Sequence, residues 1–197
     1  MLSEPIAVTL QVTEVLESLG APYLIGGSFA SSIHGAYRLT ADSDLVVDLR
    51  MEQVDPLVQA LSGAFYVDAE MIREAIRRRR SFSVLHLATM FKVDVFIPKP
   101  RPFDRAQLDR RVKQIVSIDP ERTAYVASVE DSILAKLEWY RLGNEVSDRQ
   151  WKDVQDMLKA QAGRLDLPYL KQSAADLGIA DLLERALAEA NPPANAR

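Results

Sequence analysis

Three aspartates and a pair of glycines are the residues of this chain whose types and spacing most need a chemical account. Asp42 and Asp44 open the apolar run Leu45-Val46-Val47, and Asp94 stands inside another, Val93-Asp94-Val95-Phe96-Ile97. Residues two apart on a strand point to the same side, roughly 7 Å from each other, so Asp42 and Asp44 share a face. Taken singly, each is a cap or turn residue, but an aspartate in mid-strand has no capping role. A buried charge is strongly disfavoured unless something pairs with it. With the two strands as neighbours, three carboxylates meet in one place and their repulsion opposes folding. A divalent cation resolves that conflict. Magnesium prefers carboxylate oxygens, keeps several waters and takes further ligands from substrate phosphates.

The glycines complement the carboxylates. After the apolar Tyr23-Leu24-Ile25, Gly26 and Gly27 let the backbone approach a ligand closely and adopt conformations closed to other residues. Ser28 then offers a hydroxyl and a backbone N–H at the start of a helix, a natural seat for phosphate. Alone, Gly-Gly-Ser is a tight turn. In front of an Asp-x-Asp strand it is half of a phosphate and metal cradle.

The elements that must position these residues follow from periodicity. Helical spacing predicts helices over 6–19, 29–37, 52–61, 71–80 and 104–111, the second capped by Ser28. Alternating or apolar runs predict strands over 22–25, 44–49, 65–67, 81–88, 91–97, 112–118 and 124–126. From Val129 onward the pattern is helical only: 129–142, 148–162 and one or two helices over 168–190. Strands interleaved with helices and followed by helices alone predict an α/β (α+β) core, 1–127, carrying a helical C-terminal region, 128–197.

Composition bounds the rest. The 197 residues are 48% hydrophobic and 26% charged, which suits a globular chain with a sizeable core. No apolar run reaches the roughly 18 residues that cross a bilayer, and the first residues lack the basic region of a signal peptide, so a cytoplasmic protein without a membrane partner is expected. The absence of cysteine removes thiol nucleophiles, disulfides and cysteine-ligated zinc, and two histidines, His34 and His86, are too few for a histidine-rich metal site. Any chemistry falls to carboxylates, hydroxyls and cations. The net charge is −4, yet 73–113 holds twelve basic residues against four acidic ones. That stretch predicts either a solvated helix end at Arg77–Arg80 followed by an ordinary charged helix, or a basic face able to receive polyphosphate or RNA.

Gly27-Ser28, then Asp42-x-Asp44, then Asp94 in an apolar strand resembles the order of the nucleotidyltransferase-fold superfamily, the polymerase-beta type enzymes included. The fuller pattern, Gly26-Gly27-Ser28-x-Ala30, Gly35, Arg38-x-Thr40-x-Asp42-x-Asp44, resembles the branch of AbiEii-type toxin nucleotidyltransferases. Glu130 to Leu137, with Lys136, then Arg141, Asp148 and Asp153, is similar to that branch's later helical pattern. The resemblance implies a nucleotidyltransferase-type mixed sheet flanked by helices, and transfer of a nucleoside monophosphate from a nucleoside triphosphate to an acceptor hydroxyl. Asp42, Asp44 and Asp94 would hold two Mg2+ ions, with Asp94 also taking the acceptor's proton. Gly26, Gly27 and Ser28 would seat the phosphates, with Arg38, Thr40 and Lys136 as further nucleotide contacts. Asp148 and Asp153 would orient Lys136 or face solvent. RNA, tRNA or another protein would be the acceptor, and a cognate antitoxin the partner.

Two other readings stand beside it: a small-molecule adenylyltransferase of the antibiotic-modifying kind, and an inactive fold of this type serving as a binding module. Trp139, Tyr140 and Trp151 are expected to pack between helices, Lys136 otherwise to snorkel, and the histidines to be structural.

Overall fold

The computed structural model describes residues 4–36 and 42–190. Helix α1 (Glu4–Ser18) leads into β1 (Tyr23–Ile25), a strand buried at all three positions, and α2 (Gly27–Ile33) follows at once. Then come β2 (Asp42–Val47), a single 3-10 turn at Met51–Gln53, α3 (Val54–Leu61), β3 (Phe65–Tyr66), α4 (Ala69–Arg78), β4 (Ser81–His86) and β5 (Lys92–Phe96). After α5 (Pro102–Asp109), β6 (Val112–Ile118) and β7 (Glu121–Val126), only helices remain: α6 (Val129–Leu142), α7 (Asp148–Ala160), α8 (Leu167–Asp176) and α9 (Ala180–Ala190). The α/β expectation holds, and so does the change to helices alone after Val126. Among the described residues no helix is long and apolar enough to cross a membrane.

The described residues fall into two compact units, 4–29 with 42–127, and 30–36 with 128–190. In the first, seven strands form one mixed sheet in the order β3-β4-β5-β2-β1-β7-β6. β2 runs parallel to β5 and antiparallel to β1, while β1 runs parallel to β7. Alternation along β2 and β5 is strict. Ser43, Leu45, Val47, Val93 and Val95 are buried, whereas Asp42, Asp44, Asp94 and Phe96 on the other face are partly exposed. α1 packs against β2 and α3, and α4 against α3 and β4. The hydroxyl of Tyr23 donates to Glu17 at 2.6 Å, pinning β1 to α1, and burial pushes that hydroxyl's pKa well above its ordinary value.

The second unit is helical, with α7 packed against both α6 and α9. Ile133, Leu134, Leu137, Val154, Met157 and Leu170 make its core. A carboxylate lies inside it. Asp131, fully buried, accepts the hydroxyl of Ser128 at 2.8 Å and that of Tyr169 at 2.6 Å. Ser128 also caps α6 by accepting the backbone N–H of Asp131. Gly35, at φ +120°, lies where a Cβ would come within 2.4 Å of the Ala160 Cβ, so only glycine lets this turn approach α7.

Removing a donor to a buried carboxylate leaves part of its desolvation unpaid. Tyr169→Phe is expected to lower stability by about 1–3 kcal/mol, read as a lower urea midpoint with an unchanged m-value.

Candidate active site

The sheet register decides how the three aspartates meet. β2 begins at Asp42, earlier than the sequence pattern predicts, so both aspartates lie within the strand and not before it. In the parallel ladder Asp42 stands opposite Lys92, and Asp44 directly opposite Asp94. On the other side of β5, Ser83 of β4 stands opposite Asp94. Paired residues of neighbouring strands point to the same face. Asp42, Asp44, Lys92, Asp94 and Ser83 therefore form one polar patch across three adjacent strands.

Asp94 is held at both oxygens. Ser83 Oγ donates to its Oδ1 at 2.5 Å, and the Lys92 ammonium lies 2.6 Å from its Oδ2. The hydrogen bond to Asp94 raises the Lys92 pKa above its ordinary value, and the charges of Asp94, Asp42 and Asp44 add to the shift. Sequence reasoning missed both partners. Lys92 had a signal, since it lies two residues before Asp94 and so on the same face, but Ser83 is placed only by the β4–β5 register.

The glycine pair closes against the second strand. Gly26 donates its backbone N–H to the Asp44 carbonyl at 2.8 Å. Gly27, at φ +55°, lies so close to Asp44 that a Cβ there would sit 1.8 Å from Oδ2. Only glycine tolerates both the left-handed backbone and the contact. Helix α2 starts at Gly27, so Ser28 is a buried first-turn residue and not the cap expected of it.

No protein-family model matches the chain, and no curated protein matches it in sequence. Solved structures do match in fold. The antibiotic-resistance factor ANT(2'')-Ia superposes with a TM-score of 0.57 at 11% identity, over 91% of this chain and 95% of that one. An antigenic nucleotidyltransferase-like protein from Paracoccidioides brasiliensis gives 0.53 at 16% identity, over 94% and 93%. The lincosamide antibiotic adenylyltransferase LnuA, with lincomycin bound, gives 0.50 at 12% identity, over 79% and 96%.

The chain has the nucleotidyltransferase fold.

Within this nucleotidyltransferase fold the polar patch can be tested for a divalent cation. Among the described residues, no three His, Cys, Asp or Glu side chains stand together as a ready cage for a metal, so the expected convergence of three carboxylates is not closed. The register places Asp44 against Asp94 and Asp42 against a lysine. What remains is a hard, all-oxygen donor set of two facing carboxylates with a third beside them. That suits magnesium, which is commonly bound by one or two carboxylates together with substrate phosphates. The Lys92 ammonium on Asp94 marks the place as one that holds positive charge.

The remaining expected site residues are not gathered there by anything described. Arg38 and Thr40 lie outside the described residues. Lys136, in the helical unit, is buried and does not snorkel; its ammonium pairs with Asp153 at 2.8 Å, so Asp153 is its partner, while Asp148 lies in the first turn of α7. Tyr140 and Trp151 do pack ring to ring, 5.2 Å between centroids, and Arg185 covers Trp151 at 4.0 Å. Trp139 differs from expectation and is more than half exposed. His34 is buried, and His86 shares a hydrogen bond with Thr89 in the β4–β5 turn.

The basic stretch is not one face either. Arg73 bonds to Glu70 and Asp55, Arg77 and Arg78 pair with Glu74, and Arg101 pairs with Asp104. Arg111 stacks over Tyr125, next to the β6 edge of the sheet, far along the strand order from β4.

Two stability tests follow. Gly27→Ala is expected to cost about 1–3 kcal/mol in thermal unfolding, and Asp44→Ala in the same chain to recover the part due to the carboxylate, leaving the backbone strain and the 2.9 Å contact with the Cβ that alanine keeps. Lys136→Met or Asp153→Leu alone is expected to cost about 3–5 kcal/mol, because each leaves a buried charge without its partner, and the double variant less than either.

Proposed function

We propose that the chain transfers a nucleoside monophosphate from a nucleoside triphosphate to a hydroxyl of a small-molecule acceptor, with pyrophosphate leaving. The single observation that carries this reading is the Asp44–Asp94 pair, facing across parallel strands with the Gly27 backbone closed against Asp44. The fold neighbours support the acceptor class: LnuA is an adenylyltransferase described with lincomycin, and ANT(2'')-Ia is described with adenylyl-2''-tobramycin.

In this reading Asp42, Asp44 and Asp94 hold Mg2+, which when bound supplies positive charge to the triphosphate and to the oxygens of the displacement. Gly26, Gly27 and Ser28 lie against the β- and γ-phosphates, where the exposed backbone of Gly27 admits close approach. Asp94 receives the proton of the acceptor hydroxyl as that oxygen bonds to the α-phosphorus and the bond to the β-phosphate oxygen breaks. Ser83 keeps the Asp94 carboxylate in one orientation during the transfer. Arg38, Thr40 and Lys136 are assigned to the nucleotide by resemblance.

A second reading places the chain with the AbiEii-type toxin branch, the acceptor being RNA, tRNA or a protein, with a cognate antitoxin as partner. The exposed run Arg77–Arg80 at the end of α4 favours it. Its weakness is local: two of those arginines pair with Glu74, and Arg79 reaches the carbonyl of Pro98.

The test is to incubate the chain with each labelled nucleoside triphosphate and magnesium, adding aminoglycosides and lincosamides, total RNA, or protein in turn. Label is expected in a small molecule. Label in RNA or protein favours the second reading, and absence of nucleotide binding by calorimetry favours a binding module. Asp42→Ala and Asp94→Ala are expected to fold, with circular dichroism unchanged, and to lose transfer by at least about a hundredfold. Near-full turnover in either sinks the assignment.

A further inference from the structure

Lys92 is the one cation described on the aspartate patch, and its geometry gives it a task that the transfer reaction does not require. Its ammonium lies 2.6 Å from Asp94 Oδ2, while its side chain is 46% exposed and that of Asp94 only 18%. Asp94 is thus fixed in the sheet, with Ser83 on its other oxygen, whereas the lysine reaches in from solvent on a flexible stem. The strand register places Lys92 opposite Asp42 and two positions from Asp44 on the same face, so its charge lies near all three carboxylates at once.

We propose that Lys92 is a displaceable counter-cation: it neutralises the aspartate patch when no metal is bound and competes with the divalent cation for Asp94. The inference rests on the metal-site reading given above. Magnesium bonds to carboxylate oxygen at about 2.0–2.1 Å, and an ammonium on the same oxygen lies within a few ångströms of it. A double and a single positive charge at such a distance repel strongly, the more so away from bulk water. The lysine must therefore swing into solvent when metal binds, which its exposure permits. Removing the ammonium removes the competitor, so metal affinity rises even though a favourable contact of the metal-free chain is lost. Removing a lysine that serves only to stabilise the fold would likewise lower stability but leave metal affinity unchanged.

Binding of Mn2+ to the full chain, without nucleotide, separates these cases when free Mn2+ is counted by electron paramagnetic resonance. Lys92→Met and Lys92→Gln are expected to bind Mn2+ about tenfold more tightly than wild type, and Lys92→Arg, which keeps the charge, about as wild type does. In metal-free buffer the two neutral variants are expected to melt earlier, and saturating Mn2+ to close most of that gap. Two neutral variants are used so that poor folding of one leaves the comparison standing. Asp44→Asn controls for the site. If it abolishes wild-type Mn2+ binding but neither neutral Lys92 variant binds more tightly, the counter-cation inference alone is overturned. If wild-type binding is absent, or survives Asp44→Asn, the metal-site reading fails and takes the inference with it.

Discussion

Two carboxylates at directly opposed positions of adjacent parallel strands repel one another, and here the strands concerned cannot part. β2 is the central strand of seven and β5 its neighbour, each bonded on both sides. Fraying would expose Leu45, Val47, Val93 and Val95 on the opposite face, all buried. Burial of four such side chains is worth several kcal/mol, more than the repulsion of one partly exposed like-charged pair. The hydrophobic face thus forces the polar face into a conformation it would not choose. The surrounding contacts follow from that constraint: Ser83 and Lys92 on the two oxygens of Asp94, and the backbone of Gly27, with no side chain to interpose, against Asp44.

The helical unit handles buried charge differently. Asp131 is satisfied by hydroxyls, from Ser128 and Tyr169, and Glu130 by the backbone N–H of Asp166, which fixes the entry to α8. Lys136 and Asp153 neutralise each other between α6 and α7. The contacts of Tyr169 with Asp131, Asp166 with Glu130 and Lys136 with Asp153 tie α6 to the segments that follow it, so these interior polar groups help to define which helix faces which. In the sheet the carboxylates crowd together on a partly open face; in the helices they are dispersed, and each is enclosed with its own partner.

The two kinds of site were not equally legible in the sequence. Strand and helix periodicity places nearly every element, since apolar spacing is a local property. Asp42, Asp44 and the glycine pair stand out because they interrupt that pattern. Asp94 stands out for the same reason, but its partnership with Asp44 depends on β2 pairing with β5, across some fifty residues of chain, and local spacing contains no such information. Ser83 was invisible for that reason. Lys136 stood as a nucleotide contact by resemblance or else as a snorkelling lysine, and its burial was hidden because it depends on α7 supplying Asp153, another non-local fact. The basic stretch left two readings open, a solvated helix end or one basic face, and contiguity in sequence could not choose between them; the strand order β4-β5-β2-β1-β7-β6 carries Arg77–Arg80 and Arg111 towards different edges.

That dispersal bears on the choice of acceptor. Polyanion binding gains affinity from cations that line a common track, because each releases counterions from the phosphate chain. Cations already paired with Glu70, Glu74, Asp55 and Asp104 release fewer, since their field is cancelled before a ligand arrives. With Arg73, Arg77, Arg78 and Arg101 so engaged in a chain of net charge −4, the stretch draws a polyanion less than its sequence suggests. A small hydroxylated acceptor makes no such demand. In the proposed reaction it has only to place one oxygen beside Asp94, and a cationic acceptor would be drawn by the same aspartates that hold Lys92 in place. The charge that makes the patch costly to fold is, on this reading, also what selects its ligands.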